Sequence, residues 1–254
     1  MKISHHALTD VGKKRKGNED SLFVNAEQAL FVVADGMGGH AAGEVASKVA
    51  VESINEFVVL TAGDEEITWP FGLDENMSYD GNRLKTAIRF ANRKVLEATR
   101  ERSEYEGMAT TVAAVLVDGE KVNIGHVGDS RVYLLRDGKI EQLTSDHSWV
   151  NEQIQSGVIS ADQARSHPLR NVVTRALGGK PDLQVDMMVH KAKPGDLLLL
   201  CSDGLTTMMA DDEIVKVAGE AGADLEKIAK ALVAAANAHG GEDNITVLLL
   251  RFDE

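Results

Sequence analysis

The chain has 254 residues, of which 43% are hydrophobic and only 4% aromatic, so it is long enough for a sizeable and mostly aliphatic core. A formal net charge of −13 argues against nucleic acid as a partner, because phosphate backbones select basic surfaces. The single cysteine, Cys201, excludes an intramolecular disulfide and suits a reducing compartment.

MKISHHALTD lacks the apolar centre of a leader, and no apolar run reaches membrane-spanning length, so a cytoplasmic protein without a membrane partner is expected. Strand-like runs open the chain in ISHHALTD, SLFVN and ALFVVAD. Residues of AGEVASKVAVESINEFVVL then recur at helical spacing after a Gly-rich turn. Residues 63–80 hold six acidic side chains and no Lys or Arg, with Pro70 and two glycines, and read as a surface insertion. NRLKTAIRFANRKVLEATRERSE is a second amphipathic helix.

A meander follows. Asp118-Gly119 and Asp137-Gly138 each sit between β-rich runs, which is a strong hairpin signal. Consecutive hairpins imply antiparallel sheets. Residues 146–180 are irregular, with a weak helical patch at Trp149–Ser156, and read as an excursion from the sheet. LQVDMMVHKA and DLLLLCSDG resume strands. Two helices, DDEIVKVAGEAG and LEKIAKALVAAANAHGG, precede the strand NITVLLLRF. The order suggests sheet layers covered by helices, in one domain.

Four aspartates stand at the tips of these runs: Asp35, Asp129, Asp203 and Asp243. A carboxylate cannot be desolvated cheaply without a partner, and no run of Lys or Arg lies beside them. A hard cation bound by oxygen ligands, magnesium or manganese, is the expected partner. DGMGGHAAGEV admits two further readings. Gly36-x-Gly38-x-x-Ala41 fits a loose dinucleotide fingerprint, but Asp35 would point at the pyrophosphate and the hairpins contradict a βαβ unit. Gly38 and Gly43 have P-loop spacing, but Glu44 and Val45 stand where Lys and Ser or Thr are required. Asp35 could also be a plain helix cap.

Taken in order, the motifs resemble those of the PP2C-class metal-dependent protein serine/threonine phosphatases, in their compact bacterial form. The matching elements are Arg15, Asn18, Glu19 and Asp20 in RKGNED; Asp35-Gly36; Thr110-Thr111; Asp129 and Arg131 in VGDSR; Asp203-Gly204; and Asp243-Asn244. They span nearly the whole chain. The resemblance implies an α+β fold of two packed antiparallel sheets flanked by helix pairs. It implies hydrolysis of phosphoserine and phosphothreonine by a metal-activated water, reversing a serine/threonine kinase. Phosphorylated proteins would be the partners and a monomer the active form.

The same resemblance assigns roles. Asp35 would bridge two Mn2+ or Mg2+ ions, with Asp203, Asp243 and the Gly36 carbonyl completing their shells. Asp129, with Asp203, would hold a third and weaker ion. Glu19 and Asp20 would act through water, and Arg15 would clamp the phosphate. Many eukaryotic members carry His after the Asp-Gly pair. Met37 stands there here, leaving water or His40 as proton donor. The excursion at 146–180 corresponds to the family's flap, where Asp146, His147, Ser148, Arg170 and Arg175 could meet a phosphoprotein. The alternative is a non-catalytic, phosphatase-like binding module, which should have lost metal ligands. Asp35, Asp203 and Asp243 are all present.

Overall fold

The computed structural model describes residues 1–38, 42–63 and 69–254. His40 and part of the acidic stretch lie outside the described residues. One sheet contains, in order, β1 (Lys2–Asp10), β11 (Ile245–Asp253), β10 (Leu197–Cys201), β7 (Arg131–Arg136) and β8 (Lys139–Gln142). The other contains β2 (Asp20–Asn25), β3 (Leu30–Met37), β5 (Val112–Asp118), β6 (Lys121–Val127) and β9 (Asp186–Lys191), and the short β4 (Ala109–Thr110) pairs with the end of β3. Every pairing is antiparallel, as the hairpins predict.

Both faces of each sheet are covered. α1 (Ala42–Leu60) and α2 (Tyr79–Glu101) lie on the β2–β9 sheet, and α6 (Asp211–Glu220) and α7 (Leu225–Ala238) lie on the other. This explains why the inner strands read as unbroken apolar runs. In β3, Phe31 and Val33 point into the layer between the sheets, while Leu30, Val32 and Ala34 point toward α1 and α2. Leu198, Leu200, Leu248 and Leu250 complete the middle layer, all fully buried. Burying each such side chain contributes roughly 1.5–3 kcal/mol.

The helices start where the sequence offers caps. The Ser78 hydroxyl accepts from the Gly81 N–H ahead of α2, and the Asp224 carboxylate accepts from Glu226 and Lys227 ahead of α7. α2 therefore begins inside the stretch expected to be an insertion, because Ser78 can cap it. The hairpins differ in detail. Asp137 and Gly138 form a two-residue turn with φ of 52° and 71°, the primed geometry expected of Asp-Gly. At the other, Asp118 still pairs with Lys121, so Gly119 and Glu120 make the turn. Within 146–180 the chain forms α3 (Trp149–Gln155) and an unanticipated α4 (Ala161–Arg165), whose Ser160–Gln163 capping box supports a single turn.

Candidate active site

The motif residues converge at one end of the sandwich. Asp20 opens β2 and Asp35 lies near the end of β3, in register opposite it. Asp129 occupies the turn between β6 and β7. Asp203 opens α5 (Asp203–Thr206), just after β10, and Asp243 precedes β11.

Asp20, Asp35 and Asp243 are held by short polar neighbours. Asp20 is buried, and its Oδ2 accepts from Ser202 Oγ at 2.7 Å and Thr246 Oγ1 at 2.6 Å. Its Oδ1 has no hydrogen-bond partner. The Asp35 backbone is held on both sides: its N–H donates to Thr111 Oγ1 (3.1 Å), and its carbonyl accepts from Thr111 N (2.9 Å) and Thr110 Oγ1 (2.8 Å). Thr111 is in turn bonded to Ser130, next to Asp129, at 2.6 Å.

Asn244 joins three segments. Its Nδ2 donates to the Val11 and Gly17 carbonyls, both at 2.9 Å, and its Oδ1 accepts from Glu19 N at 2.8 Å. Its own N–H donates to Asp243 Oδ1 at 2.8 Å. Asp243 Oδ2 also accepts from Arg15 Nη2 at 2.6 Å.

Two glycines are required by close packing. A Cβ on Gly36 would stand 2.0 Å from the Gly43 carbonyl and 2.5 Å from that of Glu19. One on Gly204 would stand 2.0 Å from the Asn244 carbonyl. The neighbouring backbone explains glycine at position 36 without reference to a ligand.

The electrostatics are those of crowded anions. Burial raises the Asp20, Asp35, Asp129 and Asp203 carboxyls above the ordinary range, and mutual repulsion adds to it. Asp35 feels Asp20, Asp203, Asp129 and Asp243 together, and it is pushed well up. Burial also raises Glu19, against the pull of Arg15. Arg131 is close to Asp129 and Asp203, but its fork is committed to Asp146, with Nε–Oδ1 at 2.9 Å and Nη2–Oδ2 at 2.6 Å.

Among the described residues, no three His, Cys, Asp or Glu side chains are drawn together tightly enough to hold an ion as they stand. The donor set nevertheless fits a hard divalent cation. It is all oxygen, its members repel one another, and Asp20 Oδ1 is buried without a donor. The thiol offers no alternative chemistry: Cys201 is fully buried and burial pushes it up to about 12.

Of the flap residues, Asp146 serves Arg131, and Ser148 is buried and caps α3. His147 is buried, with Nδ1 accepting from Gly128 N at 2.9 Å and Nε2 at 3.0 Å from Asp186, and Arg175 also holds Asp186, at 2.6 Å. Arg170 is exposed. Ser130, Ser202, Thr246 and Asn244 hold the site together although none is among the expected catalytic or metal-binding residues. A usable signal was present, since Ser130, Ser202 and Asn244 each adjoin one of the aspartates.

Known proteins share this sequence pattern and fold. The family described as protein phosphatase 2C matches residues 13–246. A serine/threonine phosphatase, Stp, of Listeria monocytogenes is 38% identical over 252 residues, covering 96% of this chain and 94% of the relative. The solved serine/threonine phosphatase PstP/Ppp of Mycobacterium tuberculosis superposes with a TM-score of 0.87 at 34% identity, covering 99% of both chains. The catalytic domain of the serine/threonine phosphatase PstP, solved in complex with two manganese ions, gives 0.83 at 32% identity, again over 99% of both. The chain belongs to the protein phosphatase 2C family and is a metal-dependent protein serine/threonine phosphatase.

Proposed function

We propose that Asp35, Asp203, Asp243 and the Gly36 carbonyl hold two divalent ions, manganese or magnesium, and that Asp129 with Asp203 holds a third. The observation that supports this is the crowding of Asp20, Asp129, Asp203 and Asp243 around Asp35, with its repulsion. When bound, such ions supply Lewis acidity and lower the pKa of water.

The chain's own residues do the rest. Arg15 stands at the exposed mouth with one nitrogen on Asp243. Its remaining donors grip the oxygens of the phosphoryl group and offset the charge that grows on them. Asp20, locked through Oδ2, presents Oδ1 as an acceptor that orients water. Glu19, positioned by Asn244 and half-buried beside Gly43, does the same from the other side. A proton for the departing serine or threonine oxygen comes from water in the site or from His40.

The substrates are phosphoproteins. The chain acts as a monomer on the targets of a serine/threonine kinase, in the cytoplasm.

The test is hydrolysis of a phosphothreonine peptide and of an aryl phosphate by chelator-treated protein, with and without manganese. Turnover should require the ion, and Asp35→Asn and Asp203→Asn should each lower it by about 100-fold or more. Folded protein that is inert with every divalent ion would sink the reading.

A further inference from the structure

Lys13, Lys14, Arg15 and Lys16 are four successive cations in a chain of net charge −13. All four are exposed, and they sit on the loop that carries Arg15 to the site. The loop is not loose. Lys13 N and Lys14 N both donate to the Gly241 carbonyl, at 2.7 and 3.2 Å. Asn244 fastens its two ends through Val11 and Gly17. Gly12, with φ of 78°, packs against the Asp243 carbonyl, where a Cβ would stand 2.2 Å away.

Among the described residues, only Arg15 of the four forms an ion pair, with Asp243. Among the described residues, Lys13, Lys14 and Lys16 make no ion pair and no side-chain hydrogen bond. Lys16 also lines a cavity of about 330 Å³ with Arg15, Gly17, Asn18, Glu19, Glu44 and Asn244. Of the three lysines only Lys16 lines this space, and Glu19 and Asn244 on its wall adjoin Asp20 and Asp243 in the chain, so the cavity borders the acidic centre. Its lining pairs Arg15 and Lys16 with Glu19 and Glu44, while Lys13 and Lys14 lie on the exposed loop beside it.

We propose that Lys13, Lys14 and Lys16 form a specificity lip that selects phosphoprotein segments bearing a second anionic group beside the phosphoserine or phosphothreonine being hydrolysed. This rests on the phosphatase reading of the site. A backbone clamped at both ends presents the three ammonium groups with little loop-ordering cost on binding. The net charge of −13 disfavours such segments overall, and the lip gives them a local place of approach beside the site. The second group is an acidic side chain or another phosphate, and both offer the same oxygen acceptors to Lys.

Three phosphothreonine peptides decide the matter: one with neutral flanks, one with flanking Asp and Glu, and one with a second phosphothreonine. An aryl phosphate is the control. Wild-type protein with manganese should prefer the anionic peptides in kcat/KM by about tenfold at low salt, and the preference should shrink as salt rises. The triple variant Lys13→Ala/Lys14→Ala/Lys16→Ala should lose the preference and keep its aryl phosphate turnover. Lys13→Arg/Lys14→Arg/Lys16→Arg should keep both. A preference for the doubly phosphorylated peptide alone assigns the lip to phosphate, and a preference for both assigns it to anions in general. Equal kcat/KM for neutral and anionic peptides in the wild type, or a preference that survives in the triple alanine variant, overturns the proposal while the phosphatase reading stands. Failure of the wild type to hydrolyse the aryl phosphate overturns both.

Discussion

Asp20 and Asp35 stand directly opposite one another on β2 and β3, two carboxylates facing across a single rung of an antiparallel ladder. Like charges so placed destabilise a sheet. Asp20 is tied through Oδ2 to Ser202 and Thr246, so it cannot swing away, and its Oδ1 has no partner. The sheet tolerates the pair only if a proton or a cation offsets it.

This predicts how the metal-free protein responds to pH. The Asp20, Asp35, Asp129 and Asp203 carboxyls are all raised, first by burial and then by one another. Stability from such groups is full below the unfolded carboxylate value of about 4 and is lost as pH rises through the folded values. After chelation, the thermal midpoint should fall between about pH 5 and pH 8. Asp35→Asn should flatten that fall. Manganese at about 100 times its dissociation constant should restore about 2.7 kcal/mol in the wild type and much less in Asp35→Asn. Thermal unfolding across pH, with and without manganese, checks all three.

Arg15→Ala should lower kcat/KM on a phosphopeptide about 10- to 100-fold, raising KM through the lost grip on the phosphate and lowering kcat through the lost charge compensation. Arg15→Lys should recover only part, because the ammonium cannot reproduce the fork. Stability should change by less than about 1 kcal/mol, since the pair with Asp243 is solvent-exposed. Steady-state kinetics beside denaturant melts separate the two effects.

Asn244→Ala removes the donor to Val11 and Gly17 and the acceptor for Glu19 in one step. A loss of about 2–3 kcal/mol is expected, together with loosening of residues 11–19. Hydrogen exchange should show faster exchange at the Glu19 N–H, while exchange in α2, far from Asn244, stays unchanged.

Gly36→Ala should destabilise by about 2–4 kcal/mol even with no metal present. The added methyl meets the Gly43 and Glu19 carbonyls, so β3 and α1 must part. A melt of chelated protein that matches wild type would remove the packing explanation for this glycine.

Asp129→Ala should reduce turnover while two ions stay bound, as counted by calorimetric titration with manganese. Loss of both core ions would show that Asp129 belongs to the core site and not to an accessory one.

Much of the fold was legible because its signals are local. Asp137-Gly138 specified a primed turn through two residues that tolerate positive φ. α1 was legible over Ala42–Leu60 because its apolar spacing is unbroken. The start of α2 was not, since Ser78 lies among acids and turn formers that read as insertion. α4 rests on one capping box too short to leave a periodic pattern.

The amino-acid sequence by itself determined the antiparallel elements, the four conspicuous aspartates and the ordered motifs that carry the family resemblance. Each is a pattern among near neighbours. Only the tertiary structure decided that Asp20 faces Asp35, that Thr246 reaches Asp20 across 226 positions, and that Arg15 pairs with Asp243 across 228. It also decided that Gly36 is glycine because α1 packs against it. These contacts depend on how strands from opposite ends of the chain meet, and that is set by burial of the whole middle layer.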